Sequence, residues 1–145
     1  MSERIQNSLR SAATALLALS LSISAEAQPL AAPKTDAKAA LDWLALVDAG
    51  KFEATWVEAA RSFQKAQSKV DWAKGLGEAR PTMGKLVIRT LLNHEVRTTL
   101  PNLPPGKYIT VRFTTVFEKH ANGSESVTVV KDGTRGFRMM SYLLK

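Results

Sequence analysis

The chain has 145 residues, 45% of them hydrophobic and 23% charged, which is the composition of one soluble globular domain and excludes disordered and collagen-like classes. It contains no cysteine, so disulfide frameworks, thiol nucleophiles, CxxC redox motifs and cysteine zinc sites are ruled out. The formal net charge of +7 is compatible with attraction to anionic lipid, envelope polymer or nucleic acid, because a long-range field depends only on summed charge.

Arg4 and Arg10 precede an uncharged run from Ser11 to Ala25, and Ala25-Glu26-Ala27 has the small-x-small form of a signal-peptidase site. The apolar run is shorter than the roughly 20 residues a membrane-spanning helix needs, so a cleaved leader over 1–27 is expected, with no transmembrane segment in the processed chain. Cleavage would remove two arginines and two glutamates and leave the charge at +7. The expected location is periplasmic or secreted, where nucleic acid is not an expected partner. Residues 28–35, with Pro29 and Pro33 among small residues, read as a tether, and one domain is expected over 36–145.

Asp36 is placed to cap a helix whose apolar positions Ala40, Trp43, Leu44 and Val47 follow the i, i+3, i+4, i+7 stripe, with Gly50 as its left-handed terminator. Phe52, Trp56, Ala59, Ala60 and Phe63 continue at helical spacing and predict a second helix. Ser68 and Asp71 form a capping pair for a third, which carries Val70, Trp72, Leu76 and Ala79 and ends at Pro81 and Gly84.

After Gly84 the period changes to alternation, and β-branched and aromatic residues take over. A first strand is expected from Leu86 to about Thr99, bent or at an edge because its polarity is mixed on both sides; a proline-rich loop from Leu100 to Gly106 follows. In the second strand Ile109, Val111, Phe113, Thr115 and Phe117 share the core face. Asn122-Gly123 and Asp132-Gly133 read as two-residue hairpin turns. Such turns would set Val116 opposite Val129, Glu118 opposite Val127, His120 opposite Glu125 and Arg138 opposite Val127, and put Thr128, Val130, Phe137, Met139 and Leu143 on the core face with Phe113 and Phe117. The expected fold is α+β: three N-terminal helices on one face of a curved four-stranded antiparallel sheet, a cystatin-like or nuclear-transport-factor-2-like order.

The segment Trp43-Leu44-Ala45-Leu46-Val47-Asp48-Ala49-Gly50-Lys51-Phe52, then Trp56, Trp72, Gly84, Arg89, Pro104 to Tyr108, Glu125-Ser126-Val127-Thr128, Asp132-Gly133, Phe137-Arg138 and Tyr142, resembles the domain-of-unknown-function family 4019. Phe137 stands where the family's last strand usually carries Trp. The resemblance implies a small, often exported bacterial protein and brings no assigned activity.

No catalytic signature appears. His94 and His120 are the only histidines and sit in no metal-ligand spacing, no GxSxG or SxxK nucleophile is present, and Gly75-x-Gly77 lacks the rest of a nucleotide fingerprint. No cofactor is implied. The polar strand residues Arg89, Arg112, Glu118, Glu125 and Arg138 are the candidates for binding on a mixed-polarity sheet face, with solvated cross-strand pairs as the plainer role for the same residues. A non-catalytic binding or interaction module, taking an envelope protein, a polymer or a small molecule, is the expected function. The alternative is a pocket enzyme that uses a carboxylate in apolar surroundings on a small molecule.

Overall fold

Helical residues give way to alternating ones where the change of period places the boundary. The computed structural model describes residues 35–145; the leader expected over 1–27 and the tether up to Lys34 lie outside the described residues. Helix α1 (Thr35–Asp48) buries Ala40, Trp43, Leu44 and Val47, each at most 3% exposed. It closes as expected: Gly50 takes φ 70°, its N–H donates to Val47 O at 3.0 Å, and the Lys51 N–H donates to Leu46 O at 2.9 Å, the paired bonds of a Schellman terminus.

The second predicted helix is two. Helix α2 (Phe52–Val57) and helix α3 (Arg61–Ala66) are separated by Glu58, Ala59 and Ala60, and Ala59 forms a parallel bridge to Met139 of the last strand. Ala60 is extended, and its N–H donates to Met139 O at 2.7 Å. Both alanines are almost fully buried where the segment runs beside the edge strand. Arg135 fixes this contact by donating to Ala59 O and Val57 O while paired with Asp132. Helix α4 (Lys69–Ala79) starts as predicted, with the Asp71 N–H donating to Ser68 Oγ at 3.1 Å. A 3₁₀ turn, Arg80–Met83, then leads into the sheet.

The sheet is antiparallel in the order β1 (Leu86–Arg97), β2 (Tyr108–Phe117), β3 (His120–Lys131) and β4 (Phe137–Leu144). Helix α1 packs on β2, β3 and β4, and α2 packs against α4. The core face of β2 is as expected: Ile109, Val111, Phe113, Thr115 and Phe117 are each at most 2% exposed.

The turns differ from expectation. Phe117 pairs with His120, so the β2–β3 turn is Glu118-Lys119 and Asn122-Gly123 lies inside β3. Gly123 opposes Thr115 beside a register shift, and a Cβ there would sit 2.8 Å from Thr115 O and 3.1 Å from the Phe117 ring. The glycine therefore serves a bulge and a close approach instead of a hairpin turn. At the other hairpin Lys131 pairs with Phe137 across a five-residue connection, where Gly133 and Gly136 take positive φ.

This register replaces the predicted one. Val129 opposes Ile109, Val127 opposes Val111, and Glu125 opposes Phe113. Across the last ladder Tyr142, not Arg138, opposes Val127. The inward residues of β3 are Gly123, Glu125, Val127 and Val129, while Thr128 and Val130 are only half-buried and Leu143 is 57% exposed. A one-residue slip exchanges the two faces of a strand. The expectation of an edge strand holds for β1, which carries two bulges and exposes Val87, Ile88, Leu91, Leu92 and Val96 by half or more.

Candidate functional site

Glu125 has a side chain with 0% exposure, in the middle of the apolar face of β3. An isolated buried carboxylate costs several kcal/mol, so its partners determine whether it can exist there. The position in β2 opposite Gly123 supplies Thr115, whose Oγ1 donates to Glu125 Oε2 at 2.9 Å. Strand β4 supplies Tyr142, whose hydroxyl donates to Oε1 at 2.6 Å. Strand β1 supplies Arg89, whose Nε donates to Oε2 at 2.6 Å.

The Arg89 guanidinium, 8% exposed, also clamps Asp48, with Nη1 and Nη2 at 2.7 and 3.1 Å from its two oxygens. Asp48 is the last residue of α1, where the helix dipole disfavours a carboxylate and the last turn holds no basic residue. Arg89 and Arg80 offset that disadvantage together. Arg80, at the start of the 3₁₀ turn, donates to Asp48 Oδ1 at 3.1 Å and to Gly84 O at 2.7 Å, and its guanidinium lies 4.4 Å from the centre of the Phe117 ring. The charges alternate along the line Glu125, Arg89, Asp48, Arg80. Among the described residues, Arg80 Nε is the buried side-chain donor without an acceptor.

The surroundings shift two of these groups. Burial works to lower the Arg89 pKa, but the hydrogen bonds it donates to Asp48 and Glu125 and the charges of both outweigh it, so the guanidinium is held above its ordinary value. Burial raises the Tyr142 phenol, and the neighbouring Glu125 charge raises it further. An aromatic wall closes the site from the helix side. Trp43 meets Tyr142 edge-on with ring centres 5.0 Å apart, and Trp72 stands 6.4 Å beyond. Thr55 holds both indoles: Trp43 Nε1 donates to its carbonyl and Trp72 Nε1 to its hydroxyl, each at 2.9 Å.

The five residues singled out from the sequence occupy four places. Arg89 and Glu125 join in the buried line. Glu118 is exposed in the β2–β3 turn and accepts the Lys85 N–H at 3.0 Å. Arg112 lies across from β1, near Glu95 at 3.5 Å and Asn93 at 3.2 Å; Glu95, hydrogen-bonded first by Arg97, is held below the usual carboxylate range. Arg138 pairs with Glu58 and donates to Arg135 O. The expected facing of His120 and Glu125 does not occur, since His120 opposes Phe117 and Glu125 points into the core. Asp48, Arg80, Thr115 and Tyr142 were not selected by polarity and strand pattern. The available signal was an acidic residue ending a helix without a basic companion.

Two open clefts flank this interior. One of about 580 Å³ lies at the end of the buried line, where Asp48 and Arg80 form part of its wall with Val47, Phe52, Leu86 and Lys119. The other, about 470 Å³, runs between α1 and β4 past Trp43, Glu58, Arg135 and Arg138. Among the described residues no group of three or more His, Asp or Glu gathers to hold a metal ion, and no helix is long and apolar enough to cross a membrane.

Comparison with curated proteins and with solved structures finds no match. The model of a family described as "Protein of unknown function (DUF4019)" matches residues 39–142, a span that includes every member of the buried line. The chain belongs to the DUF4019 family.

Proposed function

We propose that the protein is an exported, non-catalytic binding module. The observation behind this reading is the closure of the buried line. Glu125 has no exposed side-chain surface and accepts from Arg89, Thr115 and Tyr142 at once. A general acid or base has to come within hydrogen-bond reach of its substrate, and here the carboxylate's neighbours already fill that reach. Glu118, the other carboxylate candidate, is exposed and engaged with a backbone N–H. With Thr115 and Tyr142, the line ties the C-terminus of α1 to all four strands, which makes a rigid platform for surfaces outside it. Export is supported by the order of Arg4, Arg10, the uncharged run and Ala25-Glu26-Ala27.

Two measurements test the reading. Intact-mass analysis of the chain recovered from a bacterial envelope fraction should find an N-terminus at Gln28; an unprocessed chain confined to the cytosol would refute export. Incubation of the purified protein with an envelope metabolite extract, followed by untargeted mass spectrometry, should show compounds retained and none converted. Conversion that disappears in Glu125→Gln would establish the enzyme reading in its place.

A further inference from the structure

The cleft beside Asp48 and Arg80 has its donors and acceptors out of balance. Two carboxylates stand on its wall: Asp48 is paired with Arg80 and Arg89, and the exposed Glu118 accepts the Lys85 N–H through Oε2. Its two lysines, Lys85 and Lys119, are exposed, and their ammonium groups have no protein acceptor among the described residues.

The lysines are held in place by the backbone. Glu118 N–H donates to Lys85 O at 2.9 Å and Lys119 N–H to Met83 O at 3.0 Å, so the β2–β3 turn is bound to the segment entering β1. That approach requires Gly84, which takes φ 77° and where a Cβ would come within 3.0 Å of the Glu118 side chain. The two cationic side chains therefore leave adjacent, fixed backbone positions at one rim. The same cleft is lined by the apolar side chains of Phe52, Pro81 and Leu86, with Val47 behind them. A volume of about 580 Å³ lies within the roughly 300–1,000 Å³ typical of small-molecule sites.

We infer that this cleft binds an amphiphilic anion: a short apolar chain or ring ending in a carboxylate or phosphate, with the anionic head at Lys85 and Lys119 and the apolar part on Phe52 and Leu86. The inference rests on the reading of the protein as a binding module and specifies the ligand class. An uncharged ligand gains nothing from the two ammonium groups, which stay hydrated, and a cation is repelled by them. An inorganic anion leaves the apolar wall unused.

The test is calorimetric titration of the full chain with octyl phosphate, octanoate, inorganic phosphate, 1-octanol and octyltrimethylammonium, all as monomers. Octyl phosphate and octanoate should bind saturably at one site and weaken several-fold between low and physiological salt, whereas inorganic phosphate should bind at least tenfold more weakly. Lys85→Glu combined with Lys119→Glu should reduce octyl phosphate binding at least tenfold, with an unchanged urea midpoint showing that the fold is intact. Cosedimentation with phosphatidylglycerol vesicles separates the sources: if vesicles capture the chain through the same lysines, the head group is a membrane lipid's; if only the soluble probes bind, the ligand is a free anion. Octanol binding as tightly as octyl phosphate, or binding that survives the double reversal, would overturn the anion assignment and leave the module reading standing. Release of inorganic phosphate from octyl phosphate would overturn the module reading while the cleft kept its ligand class.

Discussion

Removal of the Glu125 carboxylate probes the line directly. In Glu125→Met the Arg89 guanidinium keeps Asp48 but loses its 2.6 Å partner, and the Thr115 and Tyr142 hydroxyls lose their acceptor inside the core. Breaking a buried ion pair from one side typically costs 3–5 kcal/mol, because the remaining charge stays buried and uncompensated. For a domain of about 110 residues, an unfolding entropy near 2.1 cal/mol/K per residue converts about 4 kcal/mol into a drop in Tm of about 17 °C. Arg89→Met should be similarly costly. The double variant should recover about 2–3 kcal/mol relative to the sum of the single changes, since an apolar pair leaves no buried charge at that link. Urea unfolding followed by tryptophan fluorescence reads all three, because Trp43 lies against Tyr142 within the same cluster. Single costs below about 1 kcal/mol, or single costs that add within about 0.5 kcal/mol, would refute the claim that these groups act as one unit.

Tyr142 implies an alkaline limit to stability. Its phenol is raised in the folded protein above the ordinary value of 10.0, chiefly by burial. Its contribution is complete below about pH 10 and is lost above it, at up to about 1.4 kcal/mol per pH unit, as the unfolded chain releases a proton the folded chain retains. Unfolding measured from pH 8 to 11.5 should show this decline, and Tyr142→Phe, less stable at neutral pH, should flatten it; an unchanged slope in the variant would assign the decline to other groups. Glycine substitutions separate helix propensity from close approach. Gly75→Ala in α4 meets nothing within 4 Å and should gain about 0.5–1 kcal/mol, whereas Gly123→Ala places a Cβ 2.8 Å from Thr115 O and should cost more than about 2 kcal/mol. Equal midpoints for the two variants in urea would refute the register drawn around Gly123.

The legibility of the fold depended on how local each signal is. The stripe of α1, its Gly50 terminus and the Ser68 cap of α4 are set by residues within a turn or two, and each stands where the spacing placed it. The break between α2 and α3 is not local. Ala59 and Ala60 suit a helix, and they leave it because Met139, some eighty residues later, supplies an acceptor and a strand to pair with. Asn122-Gly123 has the composition of a hairpin turn, but the chain turns at Glu118-Lys119, where Lys85 O and Met83 O receive the turn's N–H groups from outside the hairpin. Tertiary partners overrode local turn chemistry there.

That displaced turn also accounts for what was missed at the site. With the turn at Asn122-Gly123, Glu125 falls on the mixed face opposite His120 and reads as one half of a solvated pair. The alternation Glu125-x-Val127-x-Val129, taken without the turn, already puts the carboxylate on the face of two valines that are 0% exposed. A carboxylate in that position requires a cation reaching in from a neighbouring strand, and Arg89 is the basic residue of the first strand at an inward position. Asp48 and Arg80 were beyond such reasoning, because they lie at helix ends whose placement over the sheet follows from packing among elements distant in the chain. The buried line shows in the sequence as an acid among valines, but its length and its closure are properties of the folded arrangement alone.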